Sequence, residues 1–246
     1  MSCKGVIKIK TAIYVGIPII ILVGIFFWLG DVYSPTEEAL AYLESSNFVN
    51  VLENEDWFEF IPEQEEITTG IIFYPGGKVK AESYAPLAFE LAEKGYMVSI
   101  IKMPLHLAVL APNKANKYIN NNEKINNWVI MGHSLGGAMA ATFSENHPEK
   151  LETLIMLAAY PANSVDLSDK DIDVLSIYAS EDRIADKGKI LAAKEQLPES
   201  TEFVEIKGGN HSYFGSYGLQ KGDGEATITE IEQRNLIINY IVQFLN

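Results

Sequence analysis

Gly132-His133-Ser134-Leu135-Gly136 is wedged between the apolar run Trp128-Val129-Ile130-Met131 and the small-residue run Gly137-Ala138-Met139-Ala140-Ala141. A buried strand can pass into a helix over so few residues only if the positions flanking the turn carry almost no side chain, and the glycines meet that condition. The pattern predicts strand, sharp turn and helix, with Ser134 at the apex in a strained backbone conformation and its hydroxyl exposed. A bare G-x-S-x-G recurs by chance. Its position between a strand pattern and a helix pattern is what makes Ser134 the candidate nucleophile.

A serine hydroxyl attacks only when a base takes its proton. Of the four histidines, His133 adjoins the serine and its side chain leaves the turn in another direction. His147 precedes Pro148 at the far end of the helix, and His106 lies ahead of the serine, whereas the order on such a fold is serine, acid, histidine. His211 remains. It follows the strand-like run Thr201-Glu202-Phe203-Val204-Glu205-Ile206 and the loop opener Gly208-Gly209-Asn210, which places it at the edge of a sheet where ligands collect. The imidazole needs a carboxylate on a strand tip between Ser134 and His211. Asp182 fits, because it ends the stretch Val174 to Ala179 followed by Ser180-Glu181; the acidic cluster Asp166, Asp169, Asp171 and Asp173 precedes that strand, at the wrong end.

A developing oxyanion needs preorganised backbone N–H groups. Leu135, directly after the nucleophile, supplies one. The second is expected from the loop after Ile71-Ile72-Phe73-Tyr74, where Pro75-Gly76-Gly77-Lys78 favours the Gly77 N–H, with Gly76 as the fallback.

These segments resemble the α/β-hydrolase superfamily, in particular its small lidless members near the dienelactone hydrolases, sometimes grouped as fold-5 α/β hydrolases. The resemblance covers about Ile67 to Asn246 and is carried by Tyr74 to Val79, Lys102-Met103-Pro104-Leu105, Gly132 to Gly137, Ser176-Ile177-Tyr178 with Ser180-Glu181-Asp182, and Gly208 to His211 followed by Phe214 to Gly218. It implies a mostly parallel sheet with helices on both faces, no cap domain, and a Ser134, Asp182, His211 triad. Dienelactone hydrolases use a cysteine nucleophile; here the position is serine, a departure from their pattern that bears on the lactone substrate.

The chain order agrees with an α/β architecture. Edge strands are expected at Val49 to Glu53 and Trp57 to Ile61. Further strands are expected at Met97 to Ile101, Trp128 to Met131, Leu154 to Ala158, Val174 to Tyr178 and Phe203 to Ile206. Helices should fall at Tyr84 to Lys94, Gly137 to Asn146 and Lys187 to Gln196, and a last one should open on the capping box Thr229-Glu230-Ile231-Glu232. Asn116 to Asn127 reads as a loose helix end or loop.

Ahead of this domain, Thr11 to Leu29 carries no charge and is long enough to span a bilayer as a helix. Lys4, Lys8 and Lys10 precede the run, and Asp31, Glu37 and Glu38 follow it. The expected order is a cytoplasmic segment 1–10, a transmembrane anchor 11–30, a stalk helix and edge strands 31–66, and an outward-facing catalytic domain 67–246. A cleaved signal peptide is the rival, and no A-x-A site follows the run.

Net charge is −14, and no basic patch could follow a phosphate backbone, which argues against nucleic acid. The one cysteine, Cys3, precedes the anchor, so the domain has neither a disulfide nor a cysteine nucleophile. No Cys/His cluster has metal-ligand spacing, and no cofactor or metal is expected. Oligomeric state is open.

The expectation is a membrane-anchored serine hydrolase of a carboxylic ester or related small acyl substrate. Acyltransferase and peptidase activity would use the same residues, and a non-catalytic binding module on this fold is a further alternative. Pro161 to Asp173 leaves room for a loop but no cap, which predicts an open site. Met103, Pro104, Leu105, His106, Leu107, Tyr213 and Phe214 are candidate walls of an apolar pocket.

Overall fold

The computed structural model describes residues 30–64 and 66–246. The expected anchor Thr11 to Leu29 and the segment ahead of it lie outside the described residues. Among the described residues no helix is long and apolar enough to cross a membrane. The chain divides into two units, Met1–Val32 and Tyr33–Asn246.

In the second unit, eight strands form one sheet: β1 (Val49–Glu53), β2 (Trp57–Pro62), β3 (Thr69–Tyr74), β4 (Met97–Ile101), β5 (Asn127–His133), β6 (Thr153–Leu157), β7 (Asp173–Ala179) and β8 (Glu202–Ile206), in the order β1-β2-β4-β3-β5-β6-β7-β8. β2 runs antiparallel to both neighbours and every other pair is parallel. Because successive side chains on a strand point to opposite faces, the central strands feed two separate cores. Ile71, Phe73, Val98, Ile100, Val129 and Met131 enter one, and Ile72, Tyr74, Met97, Ile101, Trp128 and Ile130 the other. Strands buried on both faces are near-continuously apolar, which is why their positions were legible.

The first core is closed by α2 (Ala85–Ala92) and α6 (Glu230–Leu245), and the second by α3 (Ala115–Asn121) and α4 (Leu135–Asn146). The capping box at Thr229 and Glu232 is present. Several bounds differ from expectation for local reasons. Tyr84 closes a 3-10 turn, Ala81–Tyr84, and α2 opens after it with Pro86 in its first turn. α5 (Lys187–Ala192) gives way to a 3-10 turn at Ala193–Glu195, and the Asn-rich stretch holds α3.

Residues 33–66, expected as a stalk and edge strands ahead of the domain, belong to the same compact unit as the rest. α1 (Glu37–Ala41) buries Ala39 completely, Tyr33 bridges Val79, and the Thr36 N–H donates to the Ser216 carbonyl at 2.9 Å. Glu38 reaches Arg234 of α6 at 3.4 Å. These contacts pack the segment onto the domain, so it cannot act as a free spacer.

Candidate active site

Ser134 caps the N-terminus of α4 with φ 51° and ψ −121°, a conformation side chains rarely adopt. The strain is held by packing. A Cβ at Gly136 would stand 2.0 Å from the Tyr74 carbonyl oxygen, so only glycine lets the helix start that close to β3. The Ser134 N–H donates to the Leu157 carbonyl at the tip of β6, at 2.9 Å, which fixes the apex from the other side.

His211 follows β8 and lies at the start of a 3-10 turn, Ser212–Phe214. Its Nδ1 is 2.8 Å from Asp182 Oδ2, and the two side chains are only 1% and 3% exposed. The other oxygen, Asp182 Oδ1, accepts the N–H groups of Ile184 and Ala185, each at 2.8 Å. The carboxylate is therefore aimed by the backbone of its own loop. The His211 ring lies 4.5 Å from that of His133, centroid to centroid, which brings the histidine loop against the serine turn.

Gly77 sits against the residue after the serine: a Cβ there would be 3.0 Å from Leu135 Cδ2. Gly76 differs. Its N–H donates to Tyr84 Oη at 3.0 Å and is already engaged. Lys78, at φ 62°, donates its N–H to the His106 carbonyl at 2.8 Å, which ties the loop after β3 to the loop after β4.

Leu105 is exposed, whereas Met103 and Phe214 are buried in the two cores. Burial of the aromatic side chain beneath the histidine loop is what the apolar pattern left undecided. His147 caps the distal end of α4, beside Asn116 and Glu149.

Residues 70–235 match the alpha/beta hydrolase family. The chain belongs to that family. The sheet order and the antiparallel β2 are those of a hydrolase-fold sheet with its serine turn at the end of β5. Two solved structures are similar: a hydrolase of Thermoplasma acidophilum described as CIB-like (16% identity, TM-score 0.59, covering 78% of this chain and 96% of that one) and a dienelactone hydrolase of Anabaena variabilis (16% identity, TM-score 0.59, covering 80% and 97%). At that identity the likeness shows the fold alone. No curated protein matches the sequence.

Around this hydrolase site lie side chains that the sequence patterns did not single out. Asp223 Oδ2 accepts the Ser212 N–H at 2.8 Å and the Ser212 hydroxyl at 2.6 Å, while its Oδ1 accepts the N–H groups of Arg183 at 3.3 Å and His211 at 3.4 Å. One carboxylate thus holds the acid loop and the histidine loop together. Gln233 on α6 brackets Asn210, its Oε1 accepting the Asn210 N–H and its Nε2 donating to the Asn210 carbonyl. Tyr84 and His133 form a buried pair beneath the turn, with Tyr84 Oη 2.8 Å from His133 Nδ1. The Gly222-Asp223-Gly224 turn was the only sequence signal for Asp223. For Tyr84 and Gln233 there was none, because their partners are remote in the chain.

Proposed function

We propose that this chain is a serine hydrolase of a carboxylic ester or related small acyl substrate. Ser134 is the nucleophile, His211 the general base, and Asp182 the residue that orients and stabilises the imidazole. The observation that carries the assignment is the buried Asp182–His211 contact at 2.8 Å beside a serine held at φ 51°. With Nδ1–H donated to Asp182, the His211 lone pair is on Nε2, the atom that takes the Ser134 proton as the hydroxyl adds to the acyl carbon.

The tetrahedral oxyanion is met by the N–H groups of Leu135 and Gly77. Collapse expels the alcohol, which receives its proton from His211, and leaves an acyl-enzyme. Water activated by the same histidine then hydrolyses it.

The test is a fluorophosphonate probe on the full chain, with the adduct located by mass spectrometry. Labelling is expected on Ser134, with loss of both label and turnover in Ser134→Ala. An adduct elsewhere, or unaltered labelling of the variant, removes the assignment.

We further infer that the charge-free run Thr11 to Leu29, with lysines ahead of it and acids after, anchors the chain in a membrane with residues 33–246 outside the cytoplasm. Protease added to intact cells should digest the hydrolase unit. Protection until lysis reverses the orientation.

A further inference from the structure

We propose that Tyr84 and His133 form a positioning pair that leaves the Gly77 N–H as the oxyanion donor and couples its placement to that of His211. The proposal rests on the serine-hydrolase reading above and adds to it two residues that touch neither substrate nor reacting atoms.

Tyr84 is fully buried, and its oxygen accepts the Gly76 N–H at 3.0 Å. Its single proton is therefore free for His133 Nδ1, 2.8 Å away, which must be the unprotonated ring nitrogen to accept it. The proton of the neutral His133 ring then sits on Nε2. That atom is buried with no hydrogen-bond partner among the described residues, and the His133 ring packs against the His211 ring, centroids 4.5 Å apart. A directed chain results: Gly76 N–H to Tyr84 and Tyr84 O–H to His133, whose ring packs on that of His211.

Both loops of the site are built around this pair. A Cβ on Gly76 would stand 2.9 Å from both His133 Nδ1 and Tyr84 Oη, and one on Gly215, in the histidine loop, would stand 2.8 Å from Tyr84 Cε1. The His133 ring stacks on Phe214 at 5.6 Å and 21°, and the Ser216 N–H donates to the Ser83 carbonyl at 2.7 Å. With the Gly76 amide held inward by the tyrosine, the next amide, Gly77, is the one left beside Leu135.

The test is Tyr84→Phe in the full chain, which removes the hydroxyl and keeps the ring. For a short ester, kcat should fall roughly 10- to 100-fold with KM within about twofold, the scale expected when an oxyanion donor is displaced rather than lost. Affinity for an alkylboronic acid, which mimics the tetrahedral adduct, should fall in parallel. A merely structural role would lower Tm and leave both unmoved. His133→Gln, whose amide both accepts and donates, should retain more kcat than His133→Phe; this comparison carries the test if Tyr84→Phe does not fold. Imidazole nitrogen NMR supplies a readout without activity: His133 should carry its proton on Nε2, and the His211 Nδ1–H resonance should shift in Tyr84→Phe. Unchanged kcat and boronate affinity in Tyr84→Phe, or a wild-type His133 protonated on Nδ1, overturns the proposal. A wild-type chain with no turnover and no fluorophosphonate label overturns the hydrolase reading instead, and the NMR measurements still decide the pair.

Discussion

Asp182 and His211 meet at 2.8 Å through Oδ2 and Nδ1, and the second carboxylate oxygen is filled by the Ile184 and Ala185 N–H groups. The carboxylate therefore has two separable jobs, one on its own loop and one on the imidazole. Asp182→Asn keeps the side-chain shape and an oxygen for the loop but replaces the charge that stabilises imidazolium. We expect kcat/KM to drop by about 10⁴ with a small change in Tm. Asp182→Ala, which also abandons two backbone donors, should lower Tm as well. Equal activity in wild type and Asp182→Asn would falsify the assigned role.

Asp223 makes a different prediction. Its carboxylate gathers donors from Arg183, His211 and Ser212, so Asp223→Ala leaves several of them without partners at a site where Ser212 is fully buried. Removing such an acceptor costs about 2 kcal/mol, a fall in Tm of roughly 4–8 °C for a unit of this size. Since the carboxylate holds the backbone of His211, the proposed base, kcat should drop about tenfold while KM holds, on the scale by which small misplacements reduce rates. A stability loss with kcat intact would reduce Asp223 to a loop staple.

What the sequence made legible follows from how local each signal was. Ser134, Leu135 and Gly77 sit in turns whose glycines are demanded within a few residues, and Asp182 and His211 each follow a strand-like run, Val174 to Ala179 and Thr201 to Ile206. The sheet was legible because Ile71 to Tyr74 and Val129 to Met131 are buried on both faces. Tyr84 was not, since it reads as the start of an amphipathic helix. Its hydroxyl meets His133, 49 positions away in the chain. The packing of the segment around α1 was hidden in the same manner: Tyr33 bridges Val79 in the loop after β3, Tyr42 meets Phe89 of α2, and Glu38 meets Arg234 of α6, all far away in the chain.

Burial of His133 sets a pH dependence of stability. Burial first, and then the neighbouring His211, hold its pKa well below the ordinary imidazole value of 6.5. As pH falls below about 6.5, the unfolded chain takes up a proton that the folded chain refuses, so stability is full above that pH and is lost progressively beneath it. The slope from one such group is up to about 1.4 kcal/mol per pH unit. His106, lowered chiefly by burial, adds in the same sense, while Glu230, raised by burial, acts oppositely at lower pH. Urea unfolding at pH 7.5, 6.5 and 5.5 should show the decline, and His133→Gln should flatten it. An undiminished slope in that variant would assign the effect to other groups.

Substrate size can be argued from the segment between β6 and β7. Residues 158–172 contain no helix or strand, and Val165 and Leu167 fold inward to the second core, so the segment supplies no element from which a cap could be built. Each added methylene strengthens transition-state binding by about 0.8 kcal/mol only if it is buried. Beyond the first few carbons, an acyl chain would extend into water. A kcat/KM series on p-nitrophenyl esters should peak between acetyl and butyryl and decline thereafter. A steady rise through decanoyl would mean that a long chain finds apolar cover, and Leu105→Ser would then locate it: selective loss on the long esters would place the chain along the loop after β4.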